Sequence, residues 1–271
     1  MSRAKQKKLN NKVIIREGLW NVYKPKGVSS FEVVRDIKRM TGEKKVGHAG
    51  TLDPLAEGVL IVGVGREATK QLRFVLEEDK EYIGEIKLGM VSTTDDEEGR
   101  KSKVESQKSK VRKVYKVHKV CKVESQGTSK ATWPTIEEIE KVIRENFIGD
   151  IVQVSPTYSA IKIGGERAYK KARRGEKFTR PPRIVTIKEI EILDYQLKAF
   201  KEIKQPDGSN IPAGKYPVLK IRTVVGSGTY IRSLAREIGE KLGTGGYLKL
   251  LVRTRIGKHK IENSVRLIDK K

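Results

Sequence analysis

The stretch Gly47-His-Ala-Gly-Thr-Leu-Asp-Pro-Leu-Ala-Glu-Gly-Val-Leu60 sets the frame for the rest of the chain. Its three glycines, Gly47, Gly50 and Gly58, allow the backbone to turn with positive φ or to approach a ligand closely. Pro54 keeps Asp53 out of helical space, so the Asp53 carboxylate stands on a loop. The apolar run Val59–Val64 that follows reads as a strand. A carboxylate on a loop held by a sheet is a usual place for chemistry. On residue type alone, Asp53-Pro54 equally describes an ordinary turn, and His48 a satisfied or solvated histidine.

Outward from this stretch, helices and strands alternate irregularly. Ser29 with Glu32 makes a capping-box pattern ahead of Phe31, Val34, Ile37 and Met40, and Gly42 stops that helix. A second helix is expected from Thr135 and Glu138 through Ile139, Val142 and Ile143 to Phe147. A third follows Gly228 and carries Ile231, Leu234, Ala235, Ile238 and Leu242. Further strands are expected at Glu81–Leu88, Ile184–Leu193 and Val218–Val225, with a surface loop over Gln205–Pro217. Without a regular βαβ repeat, α+β is favoured over a doubly wound α/β sheet.

The 271 residues include 58 Lys plus Arg against 34 Asp plus Glu, a net charge of +24. Such an excess points to a polyanion, nucleic acid first. Residues 1–12 hold five cations and no acid, and read as a disordered basic tail. Residues 100–126 carry a net +8 around the array SKV-RKV-YKV-HKV-CKV, Ser109 to Val123, flanked by two copies of KVESQ. A period of three suits neither helix nor strand, so this is expected to be a mobile low-complexity insertion. Without both segments the body keeps +11. One Cys and three scattered His leave no disulfide framework and no zinc site of the usual spacing. No phosphate-binding loop follows Gly63-Val-Gly65. No signal peptide or membrane-length apolar run is seen, so a cytoplasmic protein without metal or cofactor is expected.

Six motifs in order carry a family resemblance over most of residues 18–257. They are Lys24-Pro25-x-Gly27-x-Ser29-Ser30, the Gly47–Leu60 stretch, and Asp79-Lys80-Glu81-Tyr82. Next come Pro156-Thr-Tyr-Ser-Ala-Ile-Lys162 with Gly165, Ala168-Tyr169 and Ala172-Arg173, then Gly228-Thr-Tyr-Ile-Arg232-Ser-Leu, and finally Tyr247-Leu-x-x-Leu251-x-Arg253-Thr. This set resembles the TruB family of pseudouridine synthases. The resemblance implies a pseudouridine-synthase fold over residues 13–257, with a central, largely antiparallel mixed sheet flanked by helices. It also implies a catalytic cleft and an RNA-gripping thumb at about 149–178.

The same resemblance implies an isomerase that converts the T-loop uridine of tRNA to pseudouridine. Asp53 would be the nucleophile, attacking either the uracil ring or the sugar and later leaving, which needs no cofactor. Arg232 would pair with Asp53 and keep it ionised; by its place off the Ile231/Leu234/Ile238 stripe it otherwise reads as a solvated helix residue. Tyr82 would stack on the extruded uracil, and Tyr230 and Leu251 would wall the pocket. His48 would replace stacking lost when the base flips. Lys24, Lys162 and Arg173 are candidates for phosphate contacts, or equally for solvated charges.

Two features depart from the family pattern: the 100–126 segment, and the short stretch 258–271 where bacterial members carry a PUA-type RNA-binding domain. The expectation is a stand-alone monomer that acts on the tRNA T stem-loop, with no membrane and no required protein partner. The rivals are a guide-RNA-dependent, dyskerin-like synthase and a non-catalytic RNA chaperone.

Overall fold

The computed structural model describes residues 17–104, 133–211 and 213–267. The 1–12 segment and the Ser109–Val123 array lie outside them. In chain order come β1 (Gly18–Lys24), α1 (Ser30–Thr41), β2 (Val46–Ala49), β3 (Glu57–Val64) and α2 (Arg66–Glu77). Then follow β4 (Lys80–Leu88), the hairpin β5 (Met90–Ser92) and β6 (Lys101–Lys103), α3 (Ile136–Asn146) and β7 (Gly149–Val154). A small hairpin of β8 (Lys162–Ile163) and β9 (Glu166–Arg167) leads into α4 (Ala168–Arg173). The long strand β10 (Pro182–Phe200) precedes the hairpin β11 (Ile203–Lys204) and β12 (Asn210–Ile211), then β13 (Gly214–Val225) and α5 (Ile231–Lys241). Last come β14 (Gly246–Ile256), β15 (His259–Lys260) and β16 (Val265–Arg266). The chain divides into two compact units, one of Met1–Glu78 with Arg255–Lys271, the other of Asp79–Thr254.

In the first unit β1 pairs antiparallel with β3 from Gly18↔Val64 to Lys24↔Gly58, and β2 also pairs with β3. The expected capping box is present: the Ser29 hydroxyl accepts from the Glu32 amide and the Glu32 carboxylate accepts from the Ser29 amide at 2.8 Å. Gly42, at φ 73°, closes α1 in the left-handed conformation that glycine takes without strain. The buried face of α1 is Val33, Val34 and Ile37, packed on Val22, Leu60, Val62 and Val64. Phe31, expected on that face, is 70% exposed. It lies about 200° around the helix from Val33. Met40 is exposed as well.

Helix α2, not anticipated, buries Ala68, Leu72 and Val75, the i, i+4, i+7 set. Leu72 and Val75 pack on Ala49, Val59 and Ile61, each burial stabilising by about 1.5–3 kcal/mol. The start of α2 comes so close to β3 that a Cβ on Gly63 would lie 2.9 Å from the Ala68 backbone, so only glycine fits. The residues after Gly257, expected to be a simple tail, add structure: Val265 and Arg266 pair in parallel with Val22 and Tyr23 and cover that edge of β1.

In the second unit the strand order is β14-β4-β13-β10-β7, and β4 with β13, β13 with β10 and β10 with β7 all pair antiparallel. With the parallel β1–β16 pair, the fold is α+β with a largely antiparallel mixed sheet and flanking helices. Strand β10 is longer than Ile184–Leu193. Its first part pairs with β7 and the remainder, from Ile187, with β13, a pairing with register shifts at Ile187/Glu189 and Ile192/Asp194. Residues 149–154, placed by expectation in the thumb, are the sheet strand β7; the β8–β9 hairpin and α4 follow it.

Two expected loops are ordered structure. Within Gln205–Pro217, Ile211 and Tyr216 are buried against Met90 and Tyr247. Tyr216 has its ring centroid 6.1 Å from that of Phe200. Pro217 lies opposite Leu197 in the pairing with β10 and just before pairing with β4 begins at Val218. Residues 100–104, read as the start of the insertion, are likewise tied in. Lys101–Lys103 pair with β5, and the Gln205 side chain bonds both the N–H and the C=O of Lys101 at 2.7 and 2.8 Å. No helix among the described residues is long and apolar enough to cross a membrane.

Candidate active site

The candidate residues fall in both units: Lys24, His48 and Asp53 in the first, the others in the second. In the first unit, Asp53 lies on the loop from the end of β2 to the start of β3, half-buried between the buried Leu52 and Leu55. The segment 24–30 pins this loop on both sides of Asp53. Ser30 Oγ accepts from Leu52 N at 2.9 Å and donates to Leu52 O at 3.0 Å. Gly27 N donates to Pro54 O at 2.7 Å, and Ala56 N closes a turn onto Asp53 O at 3.1 Å. The motif around Lys24 and the motif around Asp53 are therefore two halves of one backbone clamp.

Lys24 belongs to that clamp, which corrects its assignment to phosphate. It is fully buried, and its ammonium donates to the carbonyls of Val28 at 2.5 Å, Pro25 at 2.9 Å and Pro54 at 3.4 Å. An ammonium sequestered among carbonyls is satisfied locally and offers nothing to an RNA backbone. His48 is half-buried on β2, and its Nε2 lies 3.1 Å from Thr51 Oγ1. Nearby, Tyr23 donates to Glu57 at 2.8 Å; burial first, and that carboxylate second, raise the phenol above its ordinary value.

In the second unit, Tyr82 is buried on β4, and Gly84 shares its face of the strand. A Cβ on Gly84 would lie 3.3 Å from Leu248 and 3.8 Å from Leu251, so the absent side chain leaves room for these two leucines of the neighbouring strand β14 beside Tyr82. Leu251 is 6% exposed, and the Arg253 guanidinium lies 6.0 Å from the Tyr82 ring centroid. Tyr82, Leu251 and the fully buried Arg253 are thus gathered; sequence reasoning quoted Arg253 only as part of a motif. Tyr230 is half-buried at the N-cap of α5, its amide donating to Gln153 Oε1 at 2.8 Å.

Arg232 is 5% exposed, so the reading as a solvated helix residue does not hold. α5 is buried on more than its apolar stripe, since Arg232 and Ser233 are buried with Ile231, Leu234 and Ala235. Within its unit the guanidinium meets Asp96 at 3.3 Å and donates to the carbonyls of Thr94 at 3.1 Å and Tyr158 at 2.9 Å. Asp96 was missed because an acid in the run Asp95-Asp96-Glu97-Glu98 reads as solvent-facing. Lys162 and Arg173 are exposed on β8 and α4, and the Arg173 guanidinium lies 5.6 Å from the Tyr169 ring centroid. Exposed cations on this element remain free to meet a polyanion.

The architecture is that of a pseudouridine synthase. It aligns over 94% of this chain and 54% of the other with a crystal structure of a Cbf5-Nop10-Gar1 complex, at TM-score 0.57 and 28% identity. Residues 38–231 match the family described as "TruB family pseudouridylate synthase (N terminal domain)", and the chain belongs to that family. Among its relatives is tRNA pseudouridine synthase B of Bifidobacterium longum (strain DJO10A), 40% identical over 245 residues, 89% of this chain and 63% of the relative. Another is tRNA pseudouridine synthase B of Streptomyces coelicolor, 40% identical over 250 residues, 92% of this chain and 70% of the relative. The chain thus spans slightly less than two thirds of the first of these.

Proposed function

We propose that this chain is a tRNA pseudouridine synthase that isomerises the T-loop uridine as a stand-alone enzyme, without guide RNA. The observation that carries the reading is the clamp at Asp53: Ser30 and Gly27 fix the backbone on either side of this half-buried residue. A loop fixed this firmly around a polar side chain is preorganised for chemistry rather than for packing. The names of the relatives supply the substrate class.

Isomerisation breaks the N1–C1′ bond of uridine and forms a C5–C1′ bond to the same sugar, with the C5 proton released and one gained at N1. A carboxylate that adds and later leaves is regenerated, so no cofactor is consumed. Asp53 supplies that carboxylate, Arg232 a buried cation, and Tyr82 the stacking surface. Tyr230 and Leu251 wall the pocket, and His48 stands in for the lost stack. Lys162 and Arg173 meet phosphates.

The test is incubation of the protein with an unmodified T-stem-loop RNA, without guide RNA, followed by pseudouridine mapping. Product at the T-loop uridine is expected. Product only after a guide RNA is added would favour the dyskerin-like reading, and binding without product the chaperone.

A further inference from the structure

Arg232 and Arg236 stand four residues apart on α5, so their side chains rise from one face of the helix. Two guanidinium groups so placed repel each other unless acids answer them. The loop between β5 and β6 supplies two in succession, and each takes one arginine. Asp96 meets Arg232 at 3.3 Å, and Asp95 meets Arg236 at 2.5 Å.

Asp95 is also the one non-glycine residue with positive φ among the described residues, at 63°. Aspartate tolerates this left-handed backbone better than most side chains, and several bonds hold it here. Here the Asp95 amide donates to Ser92 O at 3.2 Å, its carbonyl accepts from Leu248 N at 3.0 Å, and its carboxylate is taken by Arg236. The turn then presents Asp96, whose Oδ1 accepts from the Glu98 amide at 3.0 Å while Oδ2 faces Arg232.

The other hand of Arg236 reaches a different segment. Its Nη2 donates to the carbonyl of Val154, the last residue of β7, at 3.1 Å. From there the chain runs to Tyr158, whose carbonyl is the third partner of Arg232, after Asp96 and Thr94. The two arginines therefore bridge the same two segments, Arg232 through Asp96, Thr94 and Tyr158, and Arg236 through Asp95 and Val154. Arg236 is held on its own helix by Glu237 at 2.9 Å and Glu240 at 3.6 Å.

We propose that Arg236 and Asp95 are positioning residues, whose ion pair sets the aim of the Arg232 guanidinium by fixing both segments that hold it. Neither is assigned a contact with substrate. The proposal rests on the reading of Arg232 as part of the catalytic site.

Single-turnover pseudouridine formation on T-stem-loop RNA tests it with wild type, Arg232→Met, Asp95→Asn, Arg236→Met, Arg236→Lys and the double variant Asp95→Asn/Arg236→Met. Asparagine keeps the size of aspartate and its tolerance of left-handed backbone, so only the charge is lost. Asp95→Asn and Arg236→Met should each lower the rate at saturating RNA ~10-fold, as expected for a small misplacement of a reacting group. The double variant should be no slower than the worse single, because both break one link. Arg236→Lys should recover much of the rate, and RNA affinity should move less than about twofold in all of them.

A rate for Asp95→Asn within about twofold of wild type, or losses that multiply in the double variant, would overturn the proposal. Slow Arg232→Met with near wild-type Asp95→Asn sinks the positioning role alone. Near wild-type Arg232→Met sinks the catalytic reading of Arg232 and the positioning role with it. Hydrogen exchange decides the geometric part whatever the activity. The amides of Glu98 and Leu248 should lose protection in Asp95→Asn and Arg236→Met, and unchanged protection there counts against the clamp.

Discussion

Replacing Lys24 by methionine separates the two roles a lysine can have beside a catalytic loop. Methionine keeps most of the volume and removes the ammonium. The carbonyls of Val28 and Pro25, at 2.5 and 2.9 Å, lose their donor, and the more distant Pro54 carbonyl keeps the Gly27 amide. A buried polar group left unsatisfied costs about 1–3 kcal/mol, so two carbonyls cost about 2–6 kcal/mol. Removing a buried ammonium returns part of that, because its desolvation penalty disappears. The expected net loss is about 3 kcal/mol, read as a lower urea midpoint with unchanged m-value. Turnover should fall as well, since the clamp around Asp53 loosens. The salt dependence of RNA binding should not change. A phosphate contact predicts the opposite pattern: stability within about 0.5 kcal/mol of wild type and a log–log salt slope shallower by about 0.7–0.9. That second result would refute the structural reasoning outright.

Asp53→Asn should abolish pseudouridine formation in single turnover while leaving RNA binding intact, because the amide is nearly isosteric but not nucleophilic; comparable product would exclude the mechanism. Glu237 is pushed up to about 7, chiefly by burial. The folded state then keeps a proton that the unfolded chain releases near 4.5, so stability falls as pH rises from about 4.5 to 7, by up to about 3 kcal/mol. Glu237→Gln should flatten that part of the urea-midpoint profile, and an unaltered slope would tell against it. Replacing residues 106–126 with a Gly/Ser linker, sparing the β6 strand, should weaken tRNA binding at low salt and make the salt slope shallower by several units. An unchanged slope means that the basic array does not meet RNA.

Local rules carried the fold a long way. Ser29 with Glu32 and Thr135 with Glu138 are capping boxes in the structure as in the sequence, because a cap is satisfied by residues three apart. The expected strands at Val59–Val64, Glu81–Leu88 and Val218–Val225 lie within β3, β4 and β13. Where the reading fell short, partners distant in sequence decided. Phe31 fits a helical apolar pattern, yet β1 and β3 select the face of Val33 and Ile37. The Gly- and Pro-containing segment 205–217 resembles a loop, yet Tyr216 finds Met90 and Tyr247 and becomes core. Lys24 has no local mark of burial at all; three carbonyls, one of them 30 residues away, make an ammonium tolerable there.

Charge is where sequence and structure part most clearly, and the run Asp95-Asp96-Glu97 shows why. Four acids in a row, counting Glu98, read as a solvated turn, since carboxylates are seldom buried without a partner. The partners exist, but they lie far along the chain. Asp95 takes Arg236, Asp96 takes Arg232, and Glu97 faces Lys101 at 3.9 Å. Only the last pair has a spacing that a local rule would suggest. The informative sign was on the other side: Arg232 and Arg236 share one face of a helix whose neighbouring residues are buried. The buried Arg232 requires an acid from elsewhere, whereas the half-buried Arg236 also has Glu237 and Glu240 on its own helix. The sequence position of the acids that answer them does not follow from the helix, and the β5–β6 loop supplies Asp95 and Asp96 as adjacent residues. The same adjacency explains the shape of the turn. Consecutive side chains in extended backbone point to opposite faces. Asp95 and Asp96 can both reach α5 only if the chain bends between them, and the positive φ at Asp95 is that bend.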